Sequence, residues 1–150
     1  MPVWKVFHSS DTLQKEEEKQ AIAQGATDFY TKYGLPAFYV HVMFFPFEGE
    51  NKYTGGKKQS RFVVVEINHI ARHLEPGNRK QAITIKEGID KVMKPLTTEK
   101  GIHLEYCVIE GLTELWRING VDPPEAFGPD EQEEAEKSRQ FLLKKYNDWQ

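Results

Sequence analysis

The chain has a single cysteine, Cys107, among 150 residues. That excludes an intrachain disulfide and points to a reducing compartment. It has no apolar run of 18 residues, and its first residues lack the apolar stretch of a secretory leader, so a cytoplasmic protein with no membrane partner is expected. Charge of one sign is also missing, since 20 Lys and Arg stand against 23 Asp and Glu for a net −3. A general nucleic-acid binder needs a basic face to neutralise phosphates, so no nucleic-acid partner is expected, although a local basic pocket stays open. Phosphate and nucleotide motifs are absent. Gly55-Gly56-Lys57-Lys58 lacks the spacing of a phosphate loop, and no dinucleotide glycine pattern or nucleophile elbow appears. His69 and His73 are four apart, a metal-ligand spacing on a helix, but they fall at a strand end and loop with no third ligand in sequence. No metal and no cofactor is expected. His8 and His41 read as structural histidines on strands, and Cys107 as an inert thiol buried in one.

What is present is ordinary for a globular chain: 39% hydrophobic and 29% charged residues. One domain over 1–150 is expected, large enough to bury roughly 68–70% of its unfolded surface. Val3–His8 reads as a strand. Asp11 followed by Gln14 reads as the start of a helix with Ile22, Ala26, Phe29 and Tyr33 on one stripe, stopped by Gly34 and Pro36. Phe38–Phe47 is a nearly continuous apolar run and reads as a buried strand. A glycine-bearing hairpin spans Glu48–Lys58, and Arg61–His69 is a third strand. Asn78 with Gln81 caps a second helix running to about Lys94, with Ala82, Ile85, Ile89 and Val92 on one face; Ile102–Ile109 is a fourth strand.

The order is β-α-β twice, in pseudo-repeats of about 2–58 and 59–111, with an extension over 112–150. The fold class is therefore α+β: two fused β-α-β units forming a four-stranded mixed sheet, with two helices on one face and a C-terminal helix. Parallel strands within each unit and a right-handed crossover follow from that order. The central strands are apolar on both faces while helices cover one, so a closed oligomer is expected. In the extension, Leu112–Gly120 reads as a short helical turn. Asp130 with Glu133 reads as the cap of a last helix to about Trp149, its acid-rich start and basic end suiting the helix dipole.

The residue with most chemical potential is Pro2. A small second residue permits removal of Met1, which would leave a rigid secondary amine opening a strand. An α-amine ordinarily titrates near ~8, and burial or nearby cations lower that value and yield a neutral base. With Met1 retained, the same nitrogen is an amide with no lone pair to offer.

Pro2-Val3-Trp4-Lys5-Val6, Ala26-Thr27-Asp28, Tyr53-Thr54-Gly55-Gly56 and Asn68-His69 together resemble the tautomerase superfamily, in particular its cis-3-chloroacrylic acid dehalogenase branch. The segment from Leu115 to Pro124 resembles a fungal branch of that group whose members mostly lack an assigned substrate. The resemblance implies a homotrimer and a catalytic amino-terminal proline, Pro2, acting as general base in enol–keto tautomerisation or as general acid in hydration. It also implies two arginines after the third strand that hold a substrate carboxylate. Here that stretch reads His69-Ile70-Ala71-Arg72-His73, with Ile70 and His73 at the two positions and Arg72 restored by a one-residue slip. Tyr30 falls where the dehalogenase has a helix histidine, Cys107 where it has a strand tyrosine, with Tyr106 one step away. Its water-activating glutamate falls near Ile118 or Asn119. Dehalogenation and hydration are therefore not expected.

An acidic enol substrate needs a base, a cation for its carboxylate and a donor for the developing enolate oxygen. Pro2 supplies the base and Arg72 a bidentate clamp. Arg117 is a second candidate cation. Tyr30, His69, His73, Asn119 and Tyr106 are the candidate substrate contacts. The competing reading is a core tyrosine for Tyr30, a surface ion pair for Arg72 and a packed extension around Arg117. The expected function is a cofactor-free tautomerase-like isomerase of a small 2-keto or 2-hydroxyenoic acid. The alternative is a non-catalytic trimeric module binding a small acid or a protein.

Overall fold

The computed structural model describes residues 1–48, 51–70, 73–118, 120, 122 and 131–145. Strand β1 (Pro2–Ser9) is followed by helix α1 (Glu16–Thr31) and strand β2 (His41–Phe47). A small hairpin, β3 (Tyr53–Thr54) and β4 (Lys57–Lys58), leads to β5 (Phe62–His69), helix α2 (Arg79–Met93) and β6 (His103–Glu110). Helix α3 (Glu131–Lys145) follows a 3-10 turn at Thr113–Leu115. The sheet order is β2-β1-β5-β6. β1 runs parallel to β2 and β5 parallel to β6, while β1 and β5 pair antiparallel. These are the two fused β-α-β units, joined edge to edge through their first strands.

Alternation decides which side chains enter the core. Trp4 and Val6 of β1 and Val63, Val65 and Ile67 of β5 face the helices and are fully buried against Ile22 and Ala26 of α1 and Ile89 and Met93 of α2. The opposite face is apolar at its edges. Phe7 stacks on Phe45 with centroids 5.1 Å apart, and Met43, Phe45, Phe47 and Ile109 stay exposed in the single chain. Lys5 pairs with Glu66 at 3.7 Å near the middle of that face.

Several local expectations are corrected. The first helix begins at Glu16, not behind Asp11. The Thr12 hydroxyl donates to the Ser9 carbonyl at 2.9 Å, and Leu13 takes a left-handed φ of 47°, so the chain cannot turn helical there. Its buried stripe is Ile22, Ala26 and Tyr30, whereas Tyr33 is half exposed. The apolar run from Phe38 is not one buried strand. Ala37–Tyr39 forms a 3-10 turn, and β2 is an edge strand whose alternate residues face outward. Cys107 is exposed on β6 rather than buried. The cap of α2 is as expected, with Asn78 Oδ1 accepting from the Gln81 amide at 3.0 Å. Asp130 and Trp149, the expected limits of the last helix, lie outside the described residues. Gly55 and Gly56 both take positive φ, as a two-residue hairpin requires.

The two helices approach closely because Gly88 has no side chain. A Cβ there would clash with the ring of Phe29, which packs edge-on against Tyr30 and Tyr33. Gly88→Ala gains helix propensity of about 1 kcal/mol, but overpacking costs 1–3 kcal/mol. The expected net loss is about 1 kcal/mol, read as a thermal midpoint 2–4 °C lower. A raised midpoint would show that the Phe29 ring swings away freely.

Candidate active site

Three buried side chains form a hydrogen-bonded chain across the helix-facing side of the sheet. Trp4 Nε1 donates to the Tyr30 hydroxyl at 3.1 Å, and that oxygen lies 2.5 Å from His69 Nε2. The Tyr30 oxygen accepts from Trp4, so its own proton goes to His69. Burial pushes the Tyr30 phenol well above its ordinary value, which keeps that proton in place. Burial also lowers His69 to about 4, with Glu110 opposing and the terminal ammonium and His73 adding to the decrease. Neutral His69 thus accepts at Nε2 and carries its proton on Nδ1.

Tyr30 and His69 line a cavity of about 460 Å³ together with His73. Phe29 and Tyr33 of α1 and Ile85 of α2 form its apolar wall. The first turns of α2 close the remaining side with Asn78, Lys80, Gln81 and Thr84. His73 Nε2 is 3.2 Å from the Thr113 hydroxyl, and that hydroxyl donates to the Ile70 carbonyl at 2.5 Å. The loop after β5 is thereby tied to the turn after β6.

Pro2 is the cross-strand partner of His69. Directly opposed residues in an antiparallel pair share a face with their Cα atoms about 4.5–5.5 Å apart. Pro2 is buried and does not itself line the cavity, and Met1 packs against the core. The Met1 carbonyl accepts from the Ile70 amide at 3.1 Å.

Other candidates lie elsewhere. Tyr106 donates to Asp90 Oδ1 at 2.7 Å, and burial with Asp90 raises its phenol to about 12; it does not line the cavity. Arg117 is exposed and pairs with Asp122, its Nε 2.6 Å from Oδ1. Arg72 and Asn119 lie outside the described residues. Lys80 is the charged cavity residue that sequence reasoning missed. Its place in the first turn of a capped helix gives no sign of what that turn faces, and the packing of α2 beside α1 and β5 sets it there.

Two parallel β-α-β units thus share one sheet, with a cavity between their helices at the end of β5. The chain matches, over residues 1–139, the family described as "Putative oxalocrotonate tautomerase enzyme", and it belongs to that family. A protein described as a probable enzyme from the thermophilic fungus Aspergillus fumigatus is 37% identical, with 91% of this chain and 94% of that one covered at a TM-score of 0.80. Native RhCC from Rhodococcus jostii RHA1 is 29% identical, with 90% and 95% covered at 0.82. A member of the cis-3-chloroacrylic acid dehalogenase family shares the fold at 19% identity, with 97% and 99% covered at 0.71. No curated protein matches the sequence.

Proposed function

We propose that the protein is a cofactor-free isomerase that interconverts the enol and keto forms of a small 2-keto or 2-hydroxyenoic acid, with Pro2 as its base. The observation that carries this reading is the pairing of Pro2 with His69, a residue of the cavity. Once Met1 is removed, the Pro2 nitrogen is a secondary amine at a buried strand end opposite His69, and desolvation favours its neutral form. It takes the enol hydroxyl proton and returns it to the adjacent carbon, so the substrate is isomerised with no atom gained or lost. Removal of Met1 also deprives the Ile70 amide of its acceptor, leaving a donor beside Pro2 for a substrate oxygen. Tyr30 fixes the ring of His69, and His69 and His73 offer polar contacts in the cavity. Arg72, three residues beyond His69, is the carboxylate clamp that the family likeness suggests. Tyr106 and Arg117, held by Asp90 and Asp122, have no part in this reading.

The assembly proposed is a homotrimer in which the apolar sheet face carrying Phe7, Met43, Phe45 and Phe47 packs against neighbouring copies. Among the described residues no helix is long and apolar enough to cross a membrane, and a cytoplasmic location is proposed.

One observation favours a second reading, a non-catalytic module that binds a small acid. The stretch after β5 holds one arginine where the resemblance implied two. A chain that keeps Met1 has only an amide at Pro2. Intact mass combined with an enol–keto assay of phenylpyruvate separates the two. The enzyme reading requires a mass lacking methionine and turnover that depends on Pro2.

A further inference from the structure

The cavity has one polar end and one apolar wall, and a single described lining residue carries a permanent positive charge. That residue is Lys80. It is exposed and has no ion-pair partner among the described residues, unlike Lys94 and Lys100, which pair at 2.7 Å with Asp90 and Glu18. The chain has one arginine where the resemblance implied two. A free ammonium across the cavity from Phe29 and Tyr33 fits an anion whose remaining surface is apolar.

We propose that Lys80 is a second cation for the substrate carboxylate that the proposed function gives to Arg72, and that the substrate is a monocarboxylate with an aryl or branched alkyl body lodged against Phe29, Tyr33 and Ile85. The inference rests on the cavity being the substrate site. A single carboxylate meets the ammonium at the α2 side. A second carboxylate at the far end of the molecule would be desolvated against Phe29, Tyr33 and Ile85, which is costly.

Equilibrium binding of unreactive acids tests this independently of turnover. Calorimetric titration with 3-phenylpropionate, its amide and adipate is run on wild type, Lys80→Ala and Lys80→Arg. Wild type is expected to bind 3-phenylpropionate at least tenfold more tightly than adipate or the amide. Lys80→Ala is expected to weaken the acid about tenfold, the scale of one charge-assisted contact, and to leave the amide unchanged. Lys80→Arg is expected to stay within about threefold of wild type. Equal affinity for adipate, an unweakened Lys80→Ala or no binding of 3-phenylpropionate to wild type overturns the proposal. Pro2→Ala turnover is measured separately. Loss there beside an indifferent Lys80→Ala removes Lys80 alone, while tight acid binding with no turnover in wild type removes the isomerase reading alone.

Discussion

Pro2→Ala lowers kcat/KM for ketonisation of phenylpyruvate by about 10²–10⁴-fold, the contribution of a positioned general base. Alanine at the same position also permits removal of Met1, so the variant keeps a terminal amine but loses the ring. What disappears is geometry. The proline ring holds the nitrogen against the end of β5, where Pro2 faces His69 across the strand pair, whereas a primary amine on a frayed strand samples many directions. Circular dichroism and the oligomeric state should be unchanged, because Pro2 contributes little to a core built on Trp4, Val6 and Ile67. Equal rates for wild type and variant would move the assignment to the binding-module reading.

Acid weakens the fold through His69. Its folded value, about 4, lies below the ordinary 6.5, so the unfolded chain takes up the proton first. The contribution of neutral His69 is fully present above about pH 6.5 and is lost as pH falls toward 4. Between pH 7 and pH 4.5 the loss is about 2 kcal/mol. Urea unfolding at the two pH values, at fixed protein concentration, measures it. His69→Gln keeps an acceptor for the Tyr30 hydroxyl but has no proton to gain, so its stability should fall about 2 kcal/mol less across the same interval. Identical falls in both proteins would show that His69 charges in place without penalty.

The fold was legible because its signals are local. Short apolar, β-branched runs mark β1 and β5, Asn78 caps α2 through a contact three residues away, and Gly55-Gly56 makes a turn that few other pairs accept. Legibility failed where distant or uncovered surroundings decide. Phe38–Phe47 has the composition of a buried strand, yet β2 is an edge strand, and half of its side chains face outward. Asp11 looks like a cap, but Ser9 and Thr12 satisfy each other first.

The site divides the same way. Tyr30 and His69 are 39 residues apart, and the family likeness singled them out before any contact was visible; the structure joins them by one hydrogen bond. Spacing alone did not reveal that Asp90 engages Tyr106 or that Asp122 engages Arg117. Lys80 went unnoticed because an exposed lysine on a helix is usually a solvated charge. Its meaning comes from α1 standing opposite.

The central claim is a free and neutral amine at Pro2, and nitrogen NMR of protein labelled with 15N-proline tests it most directly. The account predicts a terminal imino nitrogen that titrates below the ordinary ~8 of an α-amine, near ~7 as a working base requires, in step with the acid limb of kcat/KM. A resonance that never titrates, because Met1 still caps it, or one that titrates at ~8 or above, would contradict the account.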